Sequence, residues 1–209
     1  MNRILEEKGG RVLAFGAHPD DLEVGAGGLL ARLSAQGAQV TFAIVSIPSN
    51  TNVRREEAQA AADVIDADLF VIYDEKPCRV EDIAMHELVR RFDQIVGDVR
   101  PDLVITHSAN DLHWDHGLVN RATVSALRRT PCDLFAYLSS PEMNAQSRSV
   151  GNCFADISGY VDAKLSAIAC HKSQLPRLDL ESSRDLARAM GRISGFEYAE
   201  CYETLRVRV

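Results

Sequence analysis

Four short apolar runs, each followed by a segment of helical character, restrict this chain more than any other feature. They are RVLAFGA at 11–17, QVTFAIVS at 39–46, DLFVIY at 68–73 and DLVITH at 102–107. They carry apolar residues at consecutive positions without a helical period, which is how strands buried on both faces read. Helices are predicted at 22–37 (with Gly37 as C-cap), at 53–66, at 82–98 and at 117–129, the last starting just past His116. Ile83, Leu88, Phe92, Ile95 and Val96 form the inner face of the third. Strand and helix in alternation specify a parallel sheet with right-handed crossovers. From 131 onward the pattern turns irregular: DLFAYLSS, CFADISGY and YETLRVRV alternate with helices near 161–172 and 179–192. The expected fold class is therefore α/β. It is a Rossmann-like, mostly parallel sheet flanked by helices, with a smaller, irregular C-terminal part. One domain spans 1–209, with 1–130 carrying the site and 131–209 lining its pocket.

Composition narrows the function. A chain of 209 residues suits one domain. The net charge of −7 repels phosphate backbones, so nucleic acid is not an expected partner. No run is long and apolar enough for a membrane span, and the N-terminus lacks signal-peptide character, so the expected location is cytoplasmic. The five cysteines are scattered, with no CxxC pair, and read as reduced structural thiols.

Glycines at 25, 27 and 28 follow the first strand but do not fit G-x-G-x-x-G, and the charged stretch HPDDLE separates them from it. Their expected use is close packing of a helix on the sheet. The chemistry lies elsewhere. In open parallel sheets, ligands bind beyond the carboxyl ends of the strands. One strand end carries His18, Asp20 and Asp21; another carries His107, Asp111, His113, Asp115 and His116. Four of the six histidines fall in these two places, which points to a metal site. Two imidazoles and one carboxylate suit zinc, with a position left for water. The spacing from His18 to Asp21 closes over one ion in a tight turn, and the 113–116 loop offers a third ligand.

The stretch Ala17-His18-Pro19-Asp20-Asp21-Leu22-Glu23, together with His113-Trp114-Asp115-His116, resembles the LmbE-like, or PIG-L, family of zinc-dependent N-deacetylases. Arg54, Glu57 and Ala61 look like the family's R-x-x-E-x-x-x-A helix. Arg100-Pro101-Asp102 resembles its lead-in to the second cluster. Phe154 to Ser158, Lys164, His171 to Gln174 and Tyr198-Ala199-Glu200 resemble its C-terminal segments. The match runs from about residue 11 to 203. The resemblance implies that His18, Asp21 and His116 bind Zn2+, or another divalent metal such as Fe2+. It implies that Asp20 is the general base. It also implies that a protonated His113 stabilises the oxyanion while Asp115 orients its ring. Arg54 is a candidate for substrate contact. His107 is expected to be structural; Trp114 either walls the pocket or packs beneath the loop; His171 is expected to support the site from behind or to be structural, with a place near the pocket as the alternative; His86 is expected at the surface. The family's sugar-contacting Asp has only a loose counterpart in Asp74.

The activity implied is removal of an N-acetyl group from an N-acetylglucosamine-type sugar or conjugate. The alternatives are amide hydrolysis on a non-sugar natural product, and a non-catalytic metal-binding protein on the same fold. Loops at 46–56, 74–80 and 139–150 would form the pocket walls. The expected partner is a small N-acylated molecule, and a homo-oligomer is left open.

Overall fold

Each of the four apolar runs becomes a strand: β1 (Arg11–Gly16), β2 (Gln39–Ser46), β3 (Ala67–Tyr73) and β4 (Leu103–His107). The computed structural model describes residues 9–74, 77–137 and 151–208. Three further strands, β5 (Asp133–Tyr137), β6 (Cys153–Asp156) and β7 (Ala199–Arg206), join the same sheet. The strand order is β3-β2-β1-β4-β5-β7-β6. The first five are parallel; β7 runs antiparallel to β5, and β6 antiparallel to β7. Residues beyond 131 thus extend the main sheet, a topology that irregular periodicity could not reveal.

Among the described residues, six α-helices cover the sheet: α1 (Asp21–Ala35), α2 (Thr51–Ile65), α3 (Met85–Val99), α4 (Trp114–Ala126), α5 (Val161–Cys170) and α6 (Leu180–Ser194). Side chains on successive strand positions serve opposite faces. Val12 and Ala14 of β1 pack with Leu22, Ala26, Leu29, Ala61 and Ala167 of α1, α2 and α5. Leu13 and Phe15 pack with Leu88, Phe92, Val119 and Ala122 of α3 and α4. This two-sided burial is why the strands read as unbroken apolar runs. The order also places β1 beside β4 where the winding reverses, the crevice that open α/β sheets use for ligands.

The glycines of α1 are packing residues. A Cβ at Gly25 would meet the Tyr137 ring carbons at 2.0–2.8 Å, and one at Gly28 would meet Ile157 at 2.7–2.9 Å. Gly25→Ala should therefore destabilise the fold by about 1–3 kcal/mol or more, as overpacking does, read as a lower Tm. An unchanged Tm would show that Tyr137 can move aside. That ring is pinned, because its hydroxyl donates to Phe15 O at 3.1 Å and lies 3.1 Å from His107 Nε2.

Candidate metal centre and active site

The first cluster hangs from the end of β1. The Ala17 carbonyl accepts the N–H of Ser46 at 3.1 Å, so the chain leaves the sheet in a fixed direction. Asp21 Oδ2 accepts the His18 N–H at 2.7 Å and closes the turn. Asp20 has φ 94°, a left-handed conformation that Asp tolerates better than most residues. That reversal lets α1 begin at Asp21 and puts its carboxylate in the buried first turn.

The second cluster is built on α4. The helix starts at Trp114, three residues earlier than periodicity predicts, because His113 caps it. The His113 Nδ1 accepts the Asp115 N–H at 3.3 Å. His116 is thereby placed in the first turn, facing Asp21.

The two loops bring the predicted ligands together. His116 Nε2 lies 3.3 Å from Asp21 Oδ1, and His18 Nδ1 lies 3.8 Å from Asp21 Oδ2. His18, His113 and His116 each offer a nitrogen within 4.8 Å of the others. Donors on a tetrahedral zinc at its usual bond lengths stand about 3.3 Å apart. The spacing and the imidazole–carboxylate chemistry therefore fit a divalent ion. Asp21, His107 and His116 form a second close group. His107 Nε2, however, accepts the Ala17 N–H at 3.0 Å, which engages its lone pair. Burial pushes its pKa down to about 4, so it stays neutral. His107 is fully buried, and its carbonyl is held by Asn120 Nδ2 at 2.7 Å.

Charge at the centre is arranged by burial and by pairing. Burial opposes ionisation of Asp21, but its pairing with His116 outweighs it and holds the carboxyl well below its usual range. Burial likewise opposes charge on His116, but Asp21 and then Asp111 push it up to about 10. A divalent cation held there would take the place of that proton. Asp20 differs from its neighbour. Burial and the adjacent Asp21 raise it to about 7, with Arg54 pulling the other way.

Arg54 turns inward. It is 7% exposed, and its Nη2 donates to Pro19 O at 3.0 Å and to Asp20 Oδ2 at 3.3 Å. A substrate contact is the expectation from sequence; the bonds found here go to the His18–Asp21 loop and the Asp20 carboxylate. One helical turn on, Glu57 accepts the Ser173 N–H and hydroxyl, both at 2.7 Å. The first turns of α2 thus tie the His18–Asp21 loop to the segment after α5. In that segment His171 is fully buried, with Nε2 3.3 Å from Glu23 Oε1.

Two details of the His113–Asp115 pairing need correction. The Asp115 carboxylate does not orient the His113 ring; its Oδ2 lies 3.0 Å from His18 Nε2. The contact to His113 comes from the Asp115 main chain. A ring that accepts an N–H on Nδ1 is neutral and carries its proton on Nε2. Burial, then His116 and His18, lower the His113 pKa, in keeping with that state. Both observations favour a neutral Nε2–H donor over the imidazolium that the resemblance implies.

Trp114 is 63% exposed, so it does not pack beneath the loop. His86 is at the surface, as expected. Asp74 Oδ2 lies 3.2 Å from Arg55 Nη1 at the protein's edge. The proposed pocket wall at 139–150, and residues 75–76 of another, lie outside the described residues. Sequence reasoning gave no individual role to Asp111 or Glu57. Asp111 stood within the cluster, and Glu57 lies three residues from Arg54 on one helix face.

Comparison with known proteins places these features. The sequence profile of PIG-L, described as GlcNAc-PI de-N-acetylase, matches residues 13–127, more than half of the chain. The uncharacterized deacetylase YaiS of Escherichia coli (strain K12) is 27% identical over 172 residues, covering 78% of this chain and 90% of that protein. A probable N-acetyl-alpha-D-glucosaminyl L-malate deacetylase 2 of Bacillus cereus is 26% identical over 184 residues, covering 78% and 83%. Among solved structures, the conserved protein TT1542 from Thermus thermophilus superposes with TM-score 0.77 at 22% identity, covering 95% of each chain. GalB, a 4-carboxy-2-hydroxymuconate hydratase from Pseudomonas putida KT2440, superposes with TM-score 0.74 at 23% identity, covering 97% and 98%. The last two likenesses concern the fold alone.

Proposed function

This chain belongs to the PIG-L family, and from that premise we propose that it removes the N-acetyl group from an N-acetylglucosamine-type sugar or sugar conjugate, using a divalent cation held by His18, Asp21 and His116. The observation that carries the reading is the convergence of these three donors with Asp20 beside them, from two loops about a hundred residues apart. The donor set favours zinc, with Fe2+ as the next fit. Such a cation, when bound, polarises an amide carbonyl and lowers the pKa of a nearby water.

The protein's own groups supply the rest. Asp20 takes a proton from the attacking water and hands it to the departing nitrogen. Water's oxygen bonds to the carbonyl carbon, the C–N bond breaks, and acetate and a free amine result. Arg54 keeps the Asp20 carboxylate aimed from behind. His113, on the exposed side of the centre, presents Nε2–H to the carbonyl oxygen as charge builds there. The same machinery would serve a non-sugar amide; the sugar assignment rests on the family's description and the name of the Bacillus relative.

The test is release of primary amine and acetate from a panel of N-acetyl sugars, with Zn2+, Fe2+ or Co2+ supplied, beside N-acetyl amides lacking a sugar. Release from sugars with a stoichiometric metal supports the reading. Release from non-sugar amides alone overturns the sugar assignment, and release from nothing overturns the activity. His113→Ala should retain metal and lose about 10²–10³-fold in kcat, the usual cost of one oxyanion donor. Because the ring works as a neutral donor, the parent should show no basic limb due to His113. A basic limb that vanishes in His113→Ala would restore the imidazolium.

A further inference from the structure

Beside the donor set, one buried carboxylate touches two of the histidines at once. Asp111 lies in the loop between β4 and α4, and its side chain is 1% exposed. Its Oδ2 stands 2.9 Å from His116 Nδ1, and its Oδ1 accepts the His113 N–H at 3.0 Å. The first contact is a close ion pair, not aligned as a straight hydrogen bond; the second is a main-chain anchor. An imidazole that faces a carboxylate through Nδ1 keeps a proton there and leaves the lone pair on Nε2. In this ring Nε2 is the atom turned toward Asp21 Oδ1, 3.3 Å away.

We propose that Asp111 is a positioning residue of the metal centre. It fixes which nitrogen of His116 meets the cation, and through the His113 main chain it sets where the α4 cap and its imidazole stand. Asp115 stands to His18 Nε2 at 3.0 Å as Asp111 stands to His116, so both histidine ligands have a carboxylate behind them. The inference rests on the metal-dependent reading above. Carboxylates placed behind ligand imidazoles are typically worth about 10–100-fold in metal affinity.

The experiment is a metal titration of the full chain, with Co2+ as the visible probe and Zn2+ measured by competition with a chromophoric chelator. Asp111→Asn keeps the shape and can still accept the His113 N–H, but it loses the charge behind His116. Its metal affinity should fall about 10–100-fold, while kcat at saturating metal returns to within several-fold of the parent. Asp111→Ala should lose affinity and also kcat, because the His113 anchor goes too. Melting of the metal-free variants checks folding; if the Ala variant fails to fold, the nearly isosteric Asn variant carries the test. Parent-like affinity in Asp111→Asn overturns this inference and leaves the metal reading standing. The same holds if Asp111→Asn keeps its affinity and loses kcat at full occupancy, which would place Asp111 in the chemistry itself. A parent protein that takes up neither Co2+ nor Zn2+ overturns both.

Discussion

His18→Ala will give a folded chain that retains little divalent metal and releases no measurable acetate. The ring stands on a turn closed by its own N–H to Asp21 Oδ2 at 2.7 Å, and that bond belongs to the main chain. Removing the imidazole therefore leaves the turn in place. What disappears is one of three donors, together with the group that faces Asp115 at 3.0 Å. With two donors left, the centre has no structural means to hold an ion tightly, since structural and catalytic zinc sites use three or four protein ligands. Metal content by elemental analysis and acetate release should fall together. Full occupancy in His18→Ala would show that another nitrogen donor, His113 or His107, completes the set.

Asp20→Asn should separate metal from chemistry. The amide keeps the shape of the side chain but accepts no proton, so kcat should fall about 10²–10⁴-fold with metal retained. The same substitution should change how stability depends on pH. Burial and Asp21 raise the Asp20 carboxyl from 3.8 to about 7. The metal-free folded state thus holds this proton more tightly than the unfolded chain does. The stability this provides is complete below about pH 4 and is lost as pH rises toward about 7. Asp20→Asn removes that slope, so the metal-free variant should outlast its parent in thermal melting at pH 8, while the two converge near pH 4. A bound cation beside Asp20 favours its ionised form and should flatten the parent's slope as well. Loss of metal in Asp20→Asn would make Asp20 a ligand and leave Asp21 as the base.

The reach of the sequence differed between elements for physical reasons. β1, β2 and β4 were legible because they are sandwiched between two layers, and that burial writes itself into consecutive apolar residues; β3, at the sheet edge, is buried only at Val71 and Ile72 yet carries the same apolar run. The start of α4 was misread by three residues because a histidine, an unusual cap, supplies the acceptor there. β6 and β7 were unreadable as sheet members because their pairing is set by partners far along the chain, such as Phe154 with Cys201 and Tyr137 with Tyr202. The inward turn of Arg54 was equally hidden, since it depends on how α2 packs against the loop after β1.

By itself the sequence singled out the candidates for the proposed chemistry: His18, Asp20, Asp21, His113, Asp115 and His116 stand in two short motifs, and local spacing brings each motif to a strand end. Only the tertiary structure decided what each does to the others. It put Asp115 on His18 and Asp111 on His116, turned His113 Nδ1 to the Asp115 main-chain N–H, and raised Asp20 while lowering Asp21. Those outcomes depend on distances of about 3 Å between side chains from β1–α1 and β4–α4, and on burial created by both faces of the sheet at once. Neither quantity is a property of any single stretch of chain.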